Sequence, residues 1–298
     1  MFNQVTIIGT GLLGGSLARD LKALSLAQRV VGVCRSDETA KTALSQGIVD
    51  AVLPLHEAIV AADLIVLATP MQAMGSILKQ MEGRLPKQAI VTDVGSVKTD
   101  LYQAIKLQVP SMLAQFVLAH PIAGGENSGV EASKLGLFKN KHVIITETDE
   151  VSQAAVAKVT QMWEKVGAMV LAMSLQEHDA VFAKTSHLPH VIAFSLVNFL
   201  SHQSDRERLF DLAAAGFYDF TRIASSNAEM WRDICITNRA EVLKALDGFS
   251  AQIEAIRDNV ASADQAAILE YFGSAKQARD AGLLKRAEAL ALARDTKE

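Results

Sequence analysis

Through the first half of the chain, short runs of apolar, largely β-branched residues alternate with stretches whose apolar positions recur every three or four residues. The runs at 5–9, 30–34, 64–69, 89–94, 116–120, 142–146 and 168–173 predict strands. Most are apolar throughout rather than alternating, as strands covered on both faces of a sheet must be. The stretches 12–24, 71–81 and 152–166 predict helices between them. Strand and helix in alternation give a Rossmann-type, doubly wound, mainly parallel α/β sheet.

Beyond Met173 the strand signal disappears, and Ala, Leu, Glu, Lys and Gln recur at helical spacing almost to the end. Ser174, with Glu177 three residues on, reads as a capping box. It opens a helix expected to run through Leu200, kinked by Pro189 inside it. The pattern predicts two domains, 1–173 (sheet) and 174–298 (all helical). Between Lys184 and Asp205 no residue is formally charged. That face is too apolar to remain in water, so the helical domain is expected to pair two chains into a homodimer. His187, His190, His202, Pro189 and Asn198 within the stretch argue against a membrane span. From Ala275 the charged, Ala-rich sequence predicts a solvated helix or an extension.

Composition narrows the classes. Of 298 residues, 50% are apolar and 21% charged, which excludes a mainly disordered chain. Lys and Arg number 29 against 33 Asp and Glu, a net charge of −4 that gives no reason to bind nucleic acid or an anionic membrane. The two cysteines, Cys34 and Cys235, form neither a CxxC pair nor a metal-ligand spacing. No metal site is expected, and a reduced compartment is. With no basic, cleavable leader at Met1-Phe2-Asn3-Gln4, the expected location is the cytoplasm.

Candidate chemistry begins at Gly9-Thr10-Gly11-Leu12-Leu13-Gly14, which follows the first strand and opens the first helix. Gly9 permits a tight turn, Gly11 lets the backbone approach a pyrophosphate, and Gly14 lets helix and strand pack closely. The helix N-terminus at Leu12 and Leu13 supplies N–H groups and partial positive charge. Thr69, at another strand end, joins this cofactor set. At the second strand end, where an acidic residue serves the ribose of NAD, this chain has Cys34-Arg35-Ser36. With no carboxylate to repel a 2′-phosphate, and with Arg35 and Ser36 to bind it, NADP is the expected cofactor. The alternative is a surface Arg35, with Asp37 serving NAD.

Further segments stand where strands end: Asp93-Val94-Gly95-Ser96-Val97-Lys98 and His120-Pro121-Ile122-Ala123-Gly124-Gly125-Glu126. Ser186-His187-Leu188-Pro189-His190 lies on the long helix. A histidine at the mouth of such a sheet is a candidate proton acceptor. Each residue also has a plain structural reading. Ser96 can cap a helix beginning at Val97, His187 and His190 can be core or interface histidines, Trp231 and Phe220 core aromatics, and Arg222 and Arg232 surface charges. Nothing in the sequence marks His178 or His202 for function.

Together with Gly216-Phe217-Tyr218-Asp219-Phe220-Thr221-Arg222-Ile223-Ala224 and Asn227-Ala228-Glu229-Met230-Trp231-Arg232-Asp233, these segments resemble the prephenate/arogenate (cyclohexadienyl) dehydrogenase family of tyrosine biosynthesis. The resemblance runs in order from about Val5 to Asn259. It implies oxidative decarboxylation of prephenate to 4-hydroxyphenylpyruvate, or of arogenate to tyrosine. It implies that His120 takes the ring-hydroxyl proton, that Ser96 holds the hydroxyl and orients His120, and that Arg222 pairs with a substrate carboxylate. His187 and Trp231 would shape the pocket, with Glu126 near its mouth. Prephenate is a dicarboxylate, for which a buried arginine is the natural bidentate partner. Two other readings stay open: another Rossmann/helical dehydrogenase acting on a small hydroxy acid, for which Lys184 would be the catalytic lysine, and a non-catalytic NADP-sensing regulator.

Overall fold

In the computed structural model, which describes residues 1–125 and 127–295, eight strands share one sheet. They are β1 (Phe2–Ile8), β2 (Ala27–Val33), β3 (Ala51–Val52), β4 (Leu64–Leu67), β5 (Ile90–Asp93), β6 (Phe116–Pro121), β7 (His142–Thr146) and β8 (Met169–Met173). Their order is β3-β2-β1-β4-β5-β6-β7-β8, parallel from β3 to β6. Strand β7 runs antiparallel to β6, and β8 parallel to β7. At two residues, β3 is too short to stand out in the pattern.

Between the strands lie α1 (Leu12–Ala23), α2 (Asp37–Ser45), α3 (Leu55–Ala58), α4 (Met71–Met81), α5 (Thr99–Gln108) and α6 (Gln153–Lys165). The period-two geometry of a strand divides each apolar run between two faces. Val5, Ile7, Leu64 and Val66 pack with Leu17 and Leu21 of α1 and Val159, Met162 and Trp163 of α6. Ile8, Ile65 and Leu67 pack with Met74 and Leu78 of α4 and Leu101 and Ile105 of α5. Because β1 is flanked by β2 on one side and β4 on the other, chain direction around the sheet reverses there. A crevice opens at the carboxyl ends of β1 and β4, where such folds bind ligands.

The helices that follow are α7 (Leu175–Phe182), α8 (Leu188–Ser201), α9 (Arg206–Asp211), α10 (Ala215–Thr221), α11 (Ala228–Thr237), α12 (Arg239–Ala261) and α13 (Gln265–Asp295). Ser174 caps α7 as expected, accepting the Glu177 N–H at 3.1 Å. The single helix expected from 174 to 200 is corrected. A π turn at Ala183–His187 separates α7 from α8, with the Leu188 N–H reaching back five residues to the Ala183 carbonyl. Pro189 has no N–H, and its ring clashes with the carbonyl four residues before it, so the helix widens upstream instead of continuing regularly. Among the described residues no helix is long and apolar enough to cross a membrane. By internal packing the chain divides into two compact units, Met1–Val242 and Leu243–Glu298. The second unit is helical, formed by the rest of α12 and by α13, which includes the stretch from Ala275.

Candidate active site

The crevice beside β1 has the features of a dinucleotide cradle. Gly9 has φ +96°, and a Cβ there would lie 2.5 Å from the Ala68 carbonyl oxygen. A Cβ on Gly14 would lie 2.0 Å from the Gly9 carbonyl oxygen and 2.8 Å from the Ala68 side chain. Both positions therefore exclude every other residue if α1 is to approach β1 and β4 this closely. Gly11 is different: nothing lies within 4 Å of its Cβ position, so the space above it is open. It is the N-cap of α1 and offers no side chain to the first-turn N–H groups. The Thr69 hydroxyl oxygen, just past β4, is buried and has no partner among the described residues. An open, donor-rich helix end beside an orphaned hydroxyl fits a pyrophosphate.

At the end of β2, the Cys34 thiol meets the Thr10 hydroxyl at 3.1 Å. Burial pushes the thiol's pKa up, against a smaller lowering by Thr10. Arg35 is exposed. The Ser36 hydroxyl caps α2, accepting the Thr39 N–H at 3.2 Å and donating to the Thr39 hydroxyl at 3.0 Å. Asp37 stands exposed in the first turn of α2, where an acid favours the helix dipole.

His120 ends β6 on the side of the sheet shared with Phe116 and Leu118, facing α7. Its Nδ1 lies 2.8 Å from Nε2 of His178, whose Nδ1 lies 2.8 Å from Oδ1 of Asp179. The Phe182 ring sits edge-on to His120, 4.9 Å between centroids. Burial, then the neighbouring His178, Lys98 and His187, holds the His120 pKa well below the ordinary histidine range. His120 is thus neutral at pH 7.

Asp179 also caps α5, its Oδ1 accepting the Lys98 N–H and its Oδ2 the Thr99 N–H, both at 2.9 Å. The expectation that Ser96 caps a helix beginning at Val97 is therefore corrected. Helix α5 starts at Thr99, and a carboxylate from α7 takes the donors that Ser96 was expected to take. Ser96 is half-buried, and among the described residues its hydroxyl has no partner. His120 is instead held by His178.

Beneath these groups lies a fully buried ion pair. Lys98 Nζ donates to Asp93 Oδ2 and, at 2.8 Å, to the Ala119 carbonyl, while Asp93 Oδ1 accepts the Ala119 N–H at 3.0 Å. The β5–β6 ladder registers only Val91 with Phe116 and Thr92 with Val117. Past it the pair satisfies the Ala119 backbone that a strand would otherwise bond, and so fixes the residue preceding His120.

On the helical side, His187 is buried and its Nδ1 lies 3.2 Å from Asn238 Nδ2, which also donates to the Asp179 carbonyl at 2.9 Å. Burial lowers the His187 pKa to about 4. His187 Nε2 and Trp231 Nε1 are buried and have no partner among the described residues. His190 stacks on Trp231, with centroids 3.6 Å apart, and donates from Nδ1 to the Ser186 carbonyl. Its pKa is lowered by burial and, less, by the charge of Arg222. Arg222 begins the short 3-10 turn that leaves α10 and is exposed, not buried as the dicarboxylate argument expects. Glu126 lies outside the described residues. No group of His, Cys, Asp or Glu able to hold a metal occurs among the described residues.

The sequence model of the prephenate dehydrogenase nucleotide-binding domain matches residues 17–172, and that of the family's dimerization domain matches 174–274. The chain belongs to the prephenate dehydrogenase family. The cyclohexadienyl dehydrogenase of Zymomonas mobilis is 35% identical over 94% of this chain and 96% of its own length. The prephenate dehydrogenase of Bacillus subtilis is 35% identical over 94% of this chain and 76% of its own. The crystal structure of Aquifex aeolicus prephenate dehydrogenase with hydroxyphenyl propionate and NAD+ superposes with a TM-score of 0.88, at 35% identity over 94% of this chain and 98% of that one. Membership supports dehydrogenase activity with a pyridine nucleotide. Within this member of the family, the sequence gives no sign of His178, Asp179 or Asn238, and it marks the segment that holds Asp93 and Lys98 without showing their pairing. The pair His178-Asp179 is an ordinary helical dipeptide until the fold sets it against β6.

Proposed function

We propose that the protein catalyses oxidative decarboxylation of prephenate, or of arogenate, with NADP. Residues 1–173 would hold the nucleotide, and 174–298 the substrate and a second chain. The observation that carries the reading is neutral, buried His120 at the sheet's ligand-binding edge, on the third strand from the one that leads into a glycine cradle with room for a pyrophosphate.

A nicotinamide held in the glycine cradle would supply the hydride acceptor for the ring carbon that bears the hydroxyl. Neutral His120 takes the hydroxyl proton as carbonyl character develops on that carbon. The carbon–carboxylate bond then breaks, carbon dioxide leaves, and that bond's electron pair completes the aromatic ring as the ring oxygen recovers its proton from His120. Ser96, with a free hydroxyl beside the same strand ends, would hold the ring hydroxyl. Arg222 would pair with a carboxylate, while His187 and Trp231, with orphaned ring nitrogens, would line the pocket, and Glu126 would stand near its mouth.

The test is steady-state reduction of NADP and NAD by prephenate. Turnover with prephenate is expected, and its absence with both prephenate and arogenate overturns the reading. NADP is expected to be preferred, because Cys34-Arg35-Ser36 directly after β2 include no carboxylate and Arg35 is exposed there. Arg35→Ala should raise the KM for NADP strongly and leave that for NAD nearly unchanged. Equal losses with both would remove Arg35 from phosphate recognition and favour NAD through Asp37. Arg222→Ala should raise the KM for prephenate by at least about tenfold, the loss of a charge-assisted bond. Should nucleotide affinity collapse instead, Arg222 belongs to the other site.

A homodimer through the helical region is part of the proposal. Helix α8 is largely apolar and carries no formally charged residue, yet only Ala193 is fully buried and Phe199 is 62% exposed in the single chain. Sedimentation as a monomer at micromolar concentration would count against it.

A further inference from the structure

We propose that His178 and Asp179 are positioning residues that fix His120 as the tautomer protonated on Nδ1, leaving Nε2 as the unprotonated nitrogen that receives the substrate proton. The inference rests on His120 being the base in the proposed reaction, and adds which nitrogen acts and what keeps it available.

The direction of each hydrogen bond follows from the one before it. Burial raises the Asp179 pKa, but hydrogen bonds from His178, Thr99 and the Lys98 backbone outweigh it and hold the carboxyl below its ordinary value. An ionised carboxylate only accepts, so His178 Nδ1 must carry the proton in the 2.8 Å bond to Oδ1. His178 is fully buried and its own pKa is lowered, chiefly by burial, so it is neutral and has one ring proton. Its Nε2 is therefore an acceptor. Nδ1 of His120, 2.8 Å away, must donate. Nε2 of His120 is left with a lone pair.

The orientation of Asp179 is itself fixed. Its two oxygens accept the N–H groups of Lys98 and Thr99, and Asn238 Nδ2 donates to its backbone carbonyl. Asn238 makes its other contact with His187 across the π turn, so the widened turn keeps both ends of this network on one donor. The carboxylate that docks α7 onto α5 thus also sets the proton on His120. When Nε2 takes up the substrate proton, donation from Nδ1 to His178 stabilises the imidazolium, as a carboxylate-oriented histidine does in other enzymes. The charged and titratable groups around His120 are Lys98 and Asp93 after and on β5, His178 and Asp179 on α7, and His187 from the π turn.

Nitrogen-15 spectra of the full-length protein with labelled histidine test this without turnover, His120 being assigned by its loss in His120→Asn. The expected result at pH 7 is a protonated Nδ1 and an unprotonated Nε2. Protonated Nε2 would overturn the proposal whatever the enzyme's activity. Asp179→Asn removes the charge that holds the proton on His178 Nδ1, and with its amide nitrogen in the Oδ1 position it donates to His178, which reverses the chain and places the proton on His120 Nε2. In that variant kcat should fall by at least about 100-fold, with KM for prephenate changed less than about threefold. Because Asp179 also caps α5, His178→Gln and His178→Leu supply the test if Asp179→Asn fails to fold. Gln can accept from Nδ1, and should keep the tautomer and at least about tenfold more kcat than Leu. Equal kcat in the two, with the tautomer unchanged in both, means that His178 serves structure alone. A wild type inactive on prephenate and arogenate would sink the functional reading and leave the tautomer measurement decisive for this one.

Discussion

His120→Asn should lower kcat with prephenate by about 10²–10⁴-fold, the usual contribution of general-base catalysis, with far less change in KM. Asn preserves a polar group of similar reach toward His178 but has no basic nitrogen to receive a proton. The pH profile separates this from a packing defect. A protonated imidazole cannot accept the hydroxyl proton, so the wild-type rate must fall on acidification through the His120 pKa. Burial and the charges around it place that pKa well below the ordinary 6.5, so the profile should stay flat through neutrality and bend only at lower pH. In His120→Asn the acid limb should vanish while residual activity persists. A variant with near-normal turnover, or the same acid limb, would return His120 to a structural role.

Acid also acts on stability, and the two effects must be kept apart. His120, His178 and His187 all have pKa values below those of the unfolded chain. As pH falls below about 6.5 the unfolded state takes up protons that the folded state refuses until lower pH, so stability declines in that direction. Unfolding measured across the same pH range shows where the rate loss belongs to chemistry.

The parts of this molecule that were legible in its sequence are those encoded by neighbours. The glycine spacing at Gly9, Gly11 and Gly14 reports a strand–turn–helix junction because all three constraints lie within six positions. Ser174 with Glu177 reports a helix start for the same reason. Central strands such as β4 and β6 show as apolar runs because both faces are covered. Edge strand β3 is too short to have a pattern. The Pro189 signal was correct in kind but not in place, since the strain is relieved upstream in the π turn. The Asp179 cap and the His178 contact with His120 join residues 81 and 58 positions apart. No local rule distinguishes that histidine from His202. Arg222 illustrates the converse: a buried arginine is what the chemistry of a dicarboxylate asks for, and the residue that the resemblance names is exposed.

The largest expected effect on the fold follows from Lys98. Its side chain and that of Asp93 are both 0% exposed, and between them they satisfy the Ala119 N–H and carbonyl where β5 and β6 part. Burial pulls the Lys98 pKa down, and the Asp93 charge and hydrogen bond oppose that pull. Forming such a pair contributes little net stability, because desolvating two charges consumes most of their attraction. Removing one member is another matter, since the other charge is left unpaired in a dry site, at about 3–5 kcal/mol. Lys98→Met should lower the unfolding free energy by about that amount, and the melting temperature of a unit this size by roughly 6–20 °C. Adding Asp93→Asn should recover part of the loss, because a neutral oxygen can still accept the Ala119 N–H without an unpaired charge. That recovery, read as coupling in a double-mutant cycle by denaturant unfolding, identifies the ion pair as the cause. A loss under about 1 kcal/mol, or two strictly additive changes, would mean that the strand ends are held by packing and that the pair is incidental to the position of His120.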